Sequence, residues 1–340
     1  MKAYYLKQYG KADTAFELRE HPLHASVQPD EVRIQVEAFG LNYADVMARN
    51  KKYREAPPIP CVIGYEVVGT ITEAGADIPK DHLGKRVVAF TRFGGYAQEV
   101  ITKQYGYAVI GNMEAGKALA LATQYVTAYY MVNVLTNILP GDKVLVHSAA
   151  GGVGTALIQL LKIRGAEVFA KSRSDKKKDY VLSQGADHFI NYSKEDYTTQ
   201  IRRILKEDRL DVSYNPIAGS TYKKDMSLLG SGGRIVLFGG AELSGTKWGI
   251  FSQLNFLRKM GLVIPVGLMM TSRNILGVNM LKIADNRPKV MALCLEAVVD
   301  LYQQGKIHPE IGSLYSHEQL GKAHTFLESG NSVGKIGIIW

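Results

Sequence analysis

The stretch Val144-Leu145-Val146-His147-Ser148-Ala149-Ala150-Gly151-Gly152-Val153-Gly154 constrains this chain more than any other. An apolar run leads into a glycine cluster, and from Thr155 to Leu161 the apolar period changes from that of a strand to that of a helix. Strand, glycine turn and helix in that order make a dinucleotide-binding unit. Ala149, Gly151 and Gly154 take its fingerprint positions, with alanine in place of the first glycine. Gly151 lets backbone approach a pyrophosphate, Gly154 lets the helix lie close on the strand, and the helix N-terminus offers free N–H groups to the anion. Gly165 supplies a C-cap, and Glu167–Lys171 follows as the second strand.

The end of that second strand selects the cofactor. An NAD site carries an acidic residue about 20 residues past the glycines, bonded to the ribose 2′-hydroxyl. Here the chain reads Lys171-Ser172-Arg173-Ser174, followed by Lys176, Lys177 and Lys178. Hydroxyls and cations suit a 2′-phosphate that a carboxylate would repel, so NADPH is the expected carrier. Ser174 and Lys177 also spell Ser-x-x-Lys, but the partner motifs of the β-lactamase type are missing.

With 340 residues the chain is long enough for two domains and a large core. The opening Met1–Lys7 is too short and polar for a signal peptide, and no apolar stretch is expected to reach the roughly 18 residues of a membrane span. Cys61 and Cys294 give no disulfide framework, which fits a reducing, cytoplasmic setting. The net charge of +9 could attract nucleic acid, yet much of it lies in 171–178, where an anionic cofactor accounts for it. No aromatic-interleaved basic strand or RNP motif is present, so nucleic acid is not expected as a partner.

The first third reads as β-rich. Glu31–Ala38 alternates at period two, Val67–Thr72, Arg86–Phe90 and Ala97–Ile101 read similarly, and Gly and Pro punctuate them. Residues 115–139 turn helical. From 144 onward strands and helices alternate, the signature of a parallel sheet: His188–Tyr192, Leu210–Tyr214, a helix over 222–229, Gly233–Gly239, and Gly261–Pro265 as a sixth strand. The tail holds helices near 288–304 and 317–328 and a last strand at Lys335–Ile339. In such sheets ligands bind beyond the carboxyl ends of the strands, so Ala149–Val153, Ser172–Lys177, Asn215–Ile217 and Phe238–Gly240 converge on one crevice.

With these residues placed, almost the whole chain resembles the medium-chain dehydrogenase/reductase superfamily, in its zinc-independent quinone oxidoreductase branch. The matching residues are Asn42-Tyr43-Ala44-Asp45 with Arg49 and Tyr53, then Pro60-Cys61-Val62-Ile63-Gly64-Tyr65-Glu66, the 149–154 turn and Val333-Gly334-Lys335. Asn215-Pro216 and the tail after Leu301 look most like the synaptic-vesicle membrane protein subgroup. The resemblance implies an α/β fold, a Rossmann doubly wound parallel sheet inserted in a GroES-like β-rich catalytic domain. Boundaries of 1–122, 123–266 and 267–340 are expected for the N-terminal catalytic part, the Rossmann domain and the C-terminal catalytic part. It implies a homodimer. At the cofactor it places Ala150, Gly151, Gly152 and Val153 at the pyrophosphate, Ser172, Arg173 and Lys177 at the 2′-phosphate, and Tyr192 at the adenosine side. Phe238, Gly239 and Gly240 flank the nicotinamide ribose, with Lys335 approaching from the tail. Asn215-Pro216 departs from the Asp-x-x-Gly common there.

In the zinc-dependent relatives the matching segments carry cysteine at Asn42, histidine at Tyr65 and a second cysteine near Thr123. An amide and a phenol do not replace thiolate and imidazole on Zn²⁺, so no metal is expected. Without a Lewis acid, hydride transfer favours acceptors that are already electrophilic, quinones and α,β-unsaturated carbonyls. The candidate catalytic residues are Asn42 and Tyr53 as donors to the acceptor oxygen, Tyr65 lining the pocket and Asp45 orienting its neighbours; Tyr43 and Tyr129 are further lining candidates. A nucleotide-binding regulatory protein with little turnover and an RNA-binding side function are the alternatives.

Overall fold

The structure, a computed structural model, describes residues 1–22, 26–243 and 249–340 and divides into two units, Met1–Thr127 with Leu281–Trp340, and Ala128–Met280. The N-terminal part supplies β1 (Lys2–Leu6), β2 (Phe16–Glu20), β3 (Glu31–Leu41), β4 (Cys61–Val62), β5 (Glu66–Ala74), β6 (Arg86–Phe90), β7 (Glu99–Lys103) and β8 (Tyr107–Val109). The middle supplies β9 (Lys143–Val146), β10 (Glu167–Ser172), β11 (His188–Asn191), β12 (Leu210–Asn215), β13 (Leu229–Leu237) and β14 (Asn274–Gly277). The tail adds β15 (Ile311–Ser316) and β16 (Lys335–Ile339).

In the first unit β15, β16, β3, β5, β6 and β8 are neighbours in that order, β7 also pairs with β3, and β2-β1-β4 form a small second sheet. The alternation of β3 sets its facing: Val32, Ile34 and Val36 are buried, while Arg33, on the opposite face, is half-buried and pairs with Glu73 (2.7 Å) and Glu99 (2.6 Å). Because β16 runs antiparallel to β3, with Ile336 opposite Leu41, the two chain ends share one core of Phe39, Ile34, Val67, Tyr96, Ile336 and Ile338.

The second unit is one parallel sheet in the order β11-β10-β9-β12-β13-β14, with the order reversing beside β9. β9 is buried throughout after Lys143, as a strand covered on both faces must be. The expected 115–139 helix runs to Leu135 and carries two π segments, Leu121–Tyr125 and Tyr130–Leu135.

Three expectations are corrected here. The sixth strand is Asn274–Gly277, paired with β13, and not Gly261–Pro265; Pro265 opens a helix, Pro265–Thr271, because its fixed φ suits a first helical position. The boundary expected at 266 accordingly moves to Met280, and the earlier one from 122 to Thr127. Leu254–Thr271 does form an 18-residue apolar stretch of mean hydropathy 1.2, and none of it is buried. Its backbone is broken between the helices Gly249–Met260 and Pro265–Thr271, so it is not one continuous spanning helix. Trp248 lies outside the described residues, and Gly249–Met260 is helical.

Candidate functional site

At the nucleotide edge of the second unit, β9 stops at Val146 and the chain turns through Ser148, whose φ of +51° is unusual for a residue with a side chain. Ala149 N–H donates to Lys171 O (3.1 Å) and Gly151 N–H to Ser148 O (2.9 Å), which ties the turn to β10 and to itself. The helix Gly152–Ile163 follows, and its first ladder bond runs from Thr155 N–H to Gly151 O (2.8 Å). The N–H groups of Gly152, Val153 and Gly154 therefore lie outside the ladder, as an anion-binding helix start requires. A Cβ on Gly154 would lie 2.4 Å from Ser148 O and 2.7 Å from Ala149 Cα, whereas one on Gly151 would meet only Ser148 O at 3.3 Å. The close helix–strand approach read from the fingerprint is thus a property of Gly154 specifically.

The parallel pairing puts the ends of β9, β10, β12 and β13 on this same edge, along which residues 149–153, 172–177, 215–217 and 238–240 follow. Ser172 is buried, Arg173 is exposed, and Lys177 is half-buried, where desolvation pushes its ammonium below the ordinary lysine range. Asp175 shares the segment but is engaged by Lys194 and by Asn191 Nδ2 (2.6 Å), and those contacts hold its carboxyl below the usual range. Tyr192 is exposed, its ring 4.7 Å from Lys171 Nζ. Phe238 N–H donates to Asn215 O (3.3 Å), Ala241 N–H to Pro216 O (3.0 Å), and a Cβ on Gly239 would lie 2.7 Å from Pro216 O. The two turns after β12 and β13 are therefore seated on each other.

In the first unit the residues quoted around 42 and 65 surround a buried polar cluster. Asn42 caps the helix Tyr43–Arg49: its N–H donates to Asp45 Oδ2 (2.8 Å), and its Nδ2 donates to Glu66 Oε2 (2.7 Å) and Oε1 (2.9 Å). Glu66 also takes the Lys335 ammonium and the Thr123 hydroxyl, and Lys335 Nζ reaches Leu41 O and Asn42 Oδ1, both at 3.2 Å. Glu66 and Lys335 are fully buried, and Gly40 is glycine because its Cβ would fall 2.0 Å from Glu66 Oε1. This corrects two expectations. Lys335 is committed to Glu66 instead of reaching toward a cofactor, and the Asn42 amide is spent on the same carboxylate instead of on an acceptor oxygen.

Asp45 is fully buried, and desolvation pushes its carboxyl well above the usual range. Tyr65 is 3% exposed, and burial raises its phenol far above the ordinary value, with the nearby Asp45 and Tyr53 adding to the rise. Tyr53, half-buried, meets it edge-to-face at 6.2 Å, with Phe93 5.3 Å from Tyr65 on the other side; burial pushes the Tyr53 phenol up to about 12. Sequence reasoning quoted Glu66 but gave it no role. The available signal was a carboxylate inside the apolar run Tyr65-Glu66-Val67-Val68, which a buried strand tolerates only with a cation beside it.

Comparison with known proteins agrees with this architecture. Residues 28–136 match the alcohol dehydrogenase GroES-like domain and residues 152–296 the zinc-binding dehydrogenase domain. The chain is 33% identical over 315 residues to the synaptic vesicle membrane protein VAT-1 homolog of Danio rerio, covering 92% of this chain and 64% of that protein. It is 30% identical over 314 residues to the human VAT-1 homolog, covering 92% of this chain and 79% of that one. Escherichia coli quinone oxidoreductase, solved in complex with NADPH, superposes with a TM-score of 0.86 at 22% identity over the full length of both chains. The chain belongs to the medium-chain dehydrogenase/reductase superfamily, in its VAT-1-like and quinone oxidoreductase branch.

Proposed function

We propose that this chain is a zinc-independent oxidoreductase that uses NADPH to reduce a quinone or an α,β-unsaturated carbonyl. The observation that carries the reading is the nucleotide edge: a helix start cradled by Gly154, followed by Ser172, Arg173 and Lys177 with the neighbouring carboxylate of Asp175 already engaged. The NADPH complex of the E. coli quinone oxidoreductase supports the same choice. NADPH, when bound, supplies the hydride. The helix N-terminus at Gly152 and Val153 holds the diphosphate, and Arg173 and Lys177 hold the 2′-phosphate. Tyr53 keeps its proton across the physiological range and so donates a hydrogen bond to the oxygen on which charge develops. The buried ring of Tyr65 and the half-buried ring of Phe93 shield its surroundings from water, and Asn42, Asp45, Glu66 and Lys335 fix the scaffold. Zinc independence is favoured by the donor set, an amide already bonded to Glu66 and a phenol that stays protonated.

The test is consumption of NADPH, and separately of NADH, with a panel of quinones and alkenals. Turnover with neither acceptor class would leave a nucleotide-binding protein of the same fold. Arg173→Glu is expected to raise the NADPH Kd about 10- to 100-fold, the loss of about 1.5–3 kcal/mol for one charged contact. NADH affinity is expected to stay within about threefold, since only the 2′-phosphate is affected. Equal losses for both nucleotides would overturn the assignment.

We also propose a homodimer joined at the second unit. β14 is the last strand of its sheet, and beside it Leu262, Ile264, Met269 and Met270 are 57–89% exposed, an apolar surface larger than single scattered side chains. A second copy would cover both the free strand edge and the apolar residues. Leu262→Asp with Met270→Lys is expected to halve the mass measured by light scattering; an unchanged mass would place the interface elsewhere. The buried free thiols Cys61 and Cys294 are in keeping with a reducing, cytoplasmic location.

A further inference from the structure

Beneath the nucleotide edge lies a buried ionisable cluster that neither phosphate binding nor hydride transfer uses. Asp225, fully buried on the helix Tyr222–Leu228, accepts from Tyr197 Oη (2.7 Å), Ser213 Oγ (2.8 Å), Asn215 Nδ2 (2.6 Å) and His147 Nε2 (2.9 Å). Burial acts to raise its carboxyl, but His147 and the hydroxyl donors outweigh that and keep it below the usual range. His147 is itself pushed down by burial, hence neutral, and with its Nε2 hydrogen on Asp225 its Nδ1 accepts from Lys171 Nζ (3.1 Å). Lys171 is 2% exposed, with the rings of Tyr197 and Tyr192 at 4.0 and 4.7 Å.

At the other end of the cluster Asn215 Oδ1 accepts the N–H groups of Ile217 (2.8 Å) and Ala218 (2.9 Å). Ala218 has a φ of +57° with a ψ of −142°, a sparsely populated positive-φ conformation that costs an alanine about 1–3 kcal/mol and persists only where it is held. Through Pro216 the same turn seats Gly239 and Ala241. A line of contacts thus runs from the Lys171 ammonium through His147 and Asp225 to a strained turn on the cofactor edge.

We propose that Asp225 is the positioning residue of the 215–218 turn, and that the Lys171 ammonium, acting through His147, balances its charge so that the order of the turn follows the protonation of Lys171. The consequence for NADPH rests on the function proposed above; the turn itself does not. A buried carboxylate that loses its cation is strongly destabilised, and the Asn215 contact is the one through which the strained turn can yield. Burial lowers Lys171 to about 8; Asp225 and Asp196 oppose that, Lys224 adds to it, and Tyr192, Tyr197 and His147 are the other titratable groups facing it. The charge balance is therefore present below about pH 8 and lost above it. The lysine's own linkage has the opposite sign: its folded value lies below 10.5, so its contribution to stability is full above 10.5 and is lost as pH falls through about 8.

The experiment is pulsed hydrogen exchange of the Ile217 and Ala218 amides at pH 6.5 and 9.5, corrected for intrinsic rates, in the wild type and in Lys171→Met, with the NADPH Kd measured in parallel. Protection in the wild type is expected to fall at least tenfold between the two pH values, while amides of the helix Gly152–Ile163 hold theirs. Lys171→Met is expected to show the low protection already at pH 6.5 and no step between the two. Asp225→Asn is expected to behave likewise; should that variant not fold, the wild type and Lys171→Met decide the matter alone. Protection in the wild type that is flat with pH overturns the inference even if NADPH binds. A step in protection with no NADPH binding upholds it and overturns the cofactor reading instead.

Discussion

Gly154→Ala is expected to destabilise the second unit by about 1–3 kcal/mol and to raise the NADPH Kd by about 100-fold or more, while Gly151→Ala leaves the stability within about 1 kcal/mol. The contrast follows from what each added methyl would meet. At Gly154 the nearest atoms are Ser148 O at 2.4 Å, Ala149 Cα at 2.7 Å and Ala149 C at 2.8 Å, all backbone and all part of the turn that leads into the helix. None can rotate away, so the helix must shift off the strand. Overpacking of this kind costs about 1–3 kcal/mol in stability. The larger effect is on geometry, because the shift carries the N–H groups of Gly152 and Val153 away from the anion. Losing two such contacts at about 1.5–3 kcal/mol each gives a change of about 100-fold or more. At Gly151 the only close atom among the described residues is Ser148 O at 3.3 Å, which a few tenths of an ångström of movement relieves. Kd values by fluorescence titration on both variants, with circular dichroism to follow unfolding, make the comparison. Equal losses of stability in the two variants would mean that the helix does not depend on Gly154 for its close approach to the strand.

The sequence was most legible where one residue type answers one physical demand. The glycine turn, the apolar strand before it and the cations after β10 could be read because each reports a local requirement: steric clearance, burial on two faces, charge. β3, β6 and β16 were readable for the same reason, since period-two alternation or a short apolar run is a local signal. The sixth strand was not. Gly261–Pro265 is apolar enough for a strand, yet Leu262 is 89% exposed and Pro265 starts a helix, while the real strand, Asn274–Gly277, is only four residues long and is recruited by pairing with β13. Pairing partners are tertiary facts. The roles of Asn42 and Lys335 escaped for a related reason: they lie 293 residues apart, and the carboxylate that claims both could be recognised only once β5 and β16 had been placed on either side of β3.

That carboxylate sets the second large effect. Glu66→Gln and Lys335→Met are each expected to destabilise the first unit by about 3–5 kcal/mol, because each leaves one fully buried charge without its partner. The double variant Glu66→Gln/Lys335→Met is expected to recover most of the loss, since a buried ion pair replaced by neutral groups of similar volume is often close to neutral in stability. A coupling of about 2–3 kcal/mol in the double-mutant cycle is the quantitative form of the claim. Denaturant unfolding followed by Trp340 fluorescence reads it, in a Trp248→Phe background that removes the chain's other tryptophan. Trp340 packs in the first unit against His317 at 5.0 Å and Phe39 at 5.7 Å, so it reports the unit in which the pair sits. Single variants costing under about 1 kcal/mol would show that water reaches the pair and that it behaves like a surface salt bridge. The recovery in the double variant also separates two jobs. If stability returns but turnover does not, the pair holds Asn42 and the adjoining Tyr65 in a geometry that neutral replacements do not reproduce. If both return, the ion pair holds the fold together and the chemistry rests on the tyrosines alone.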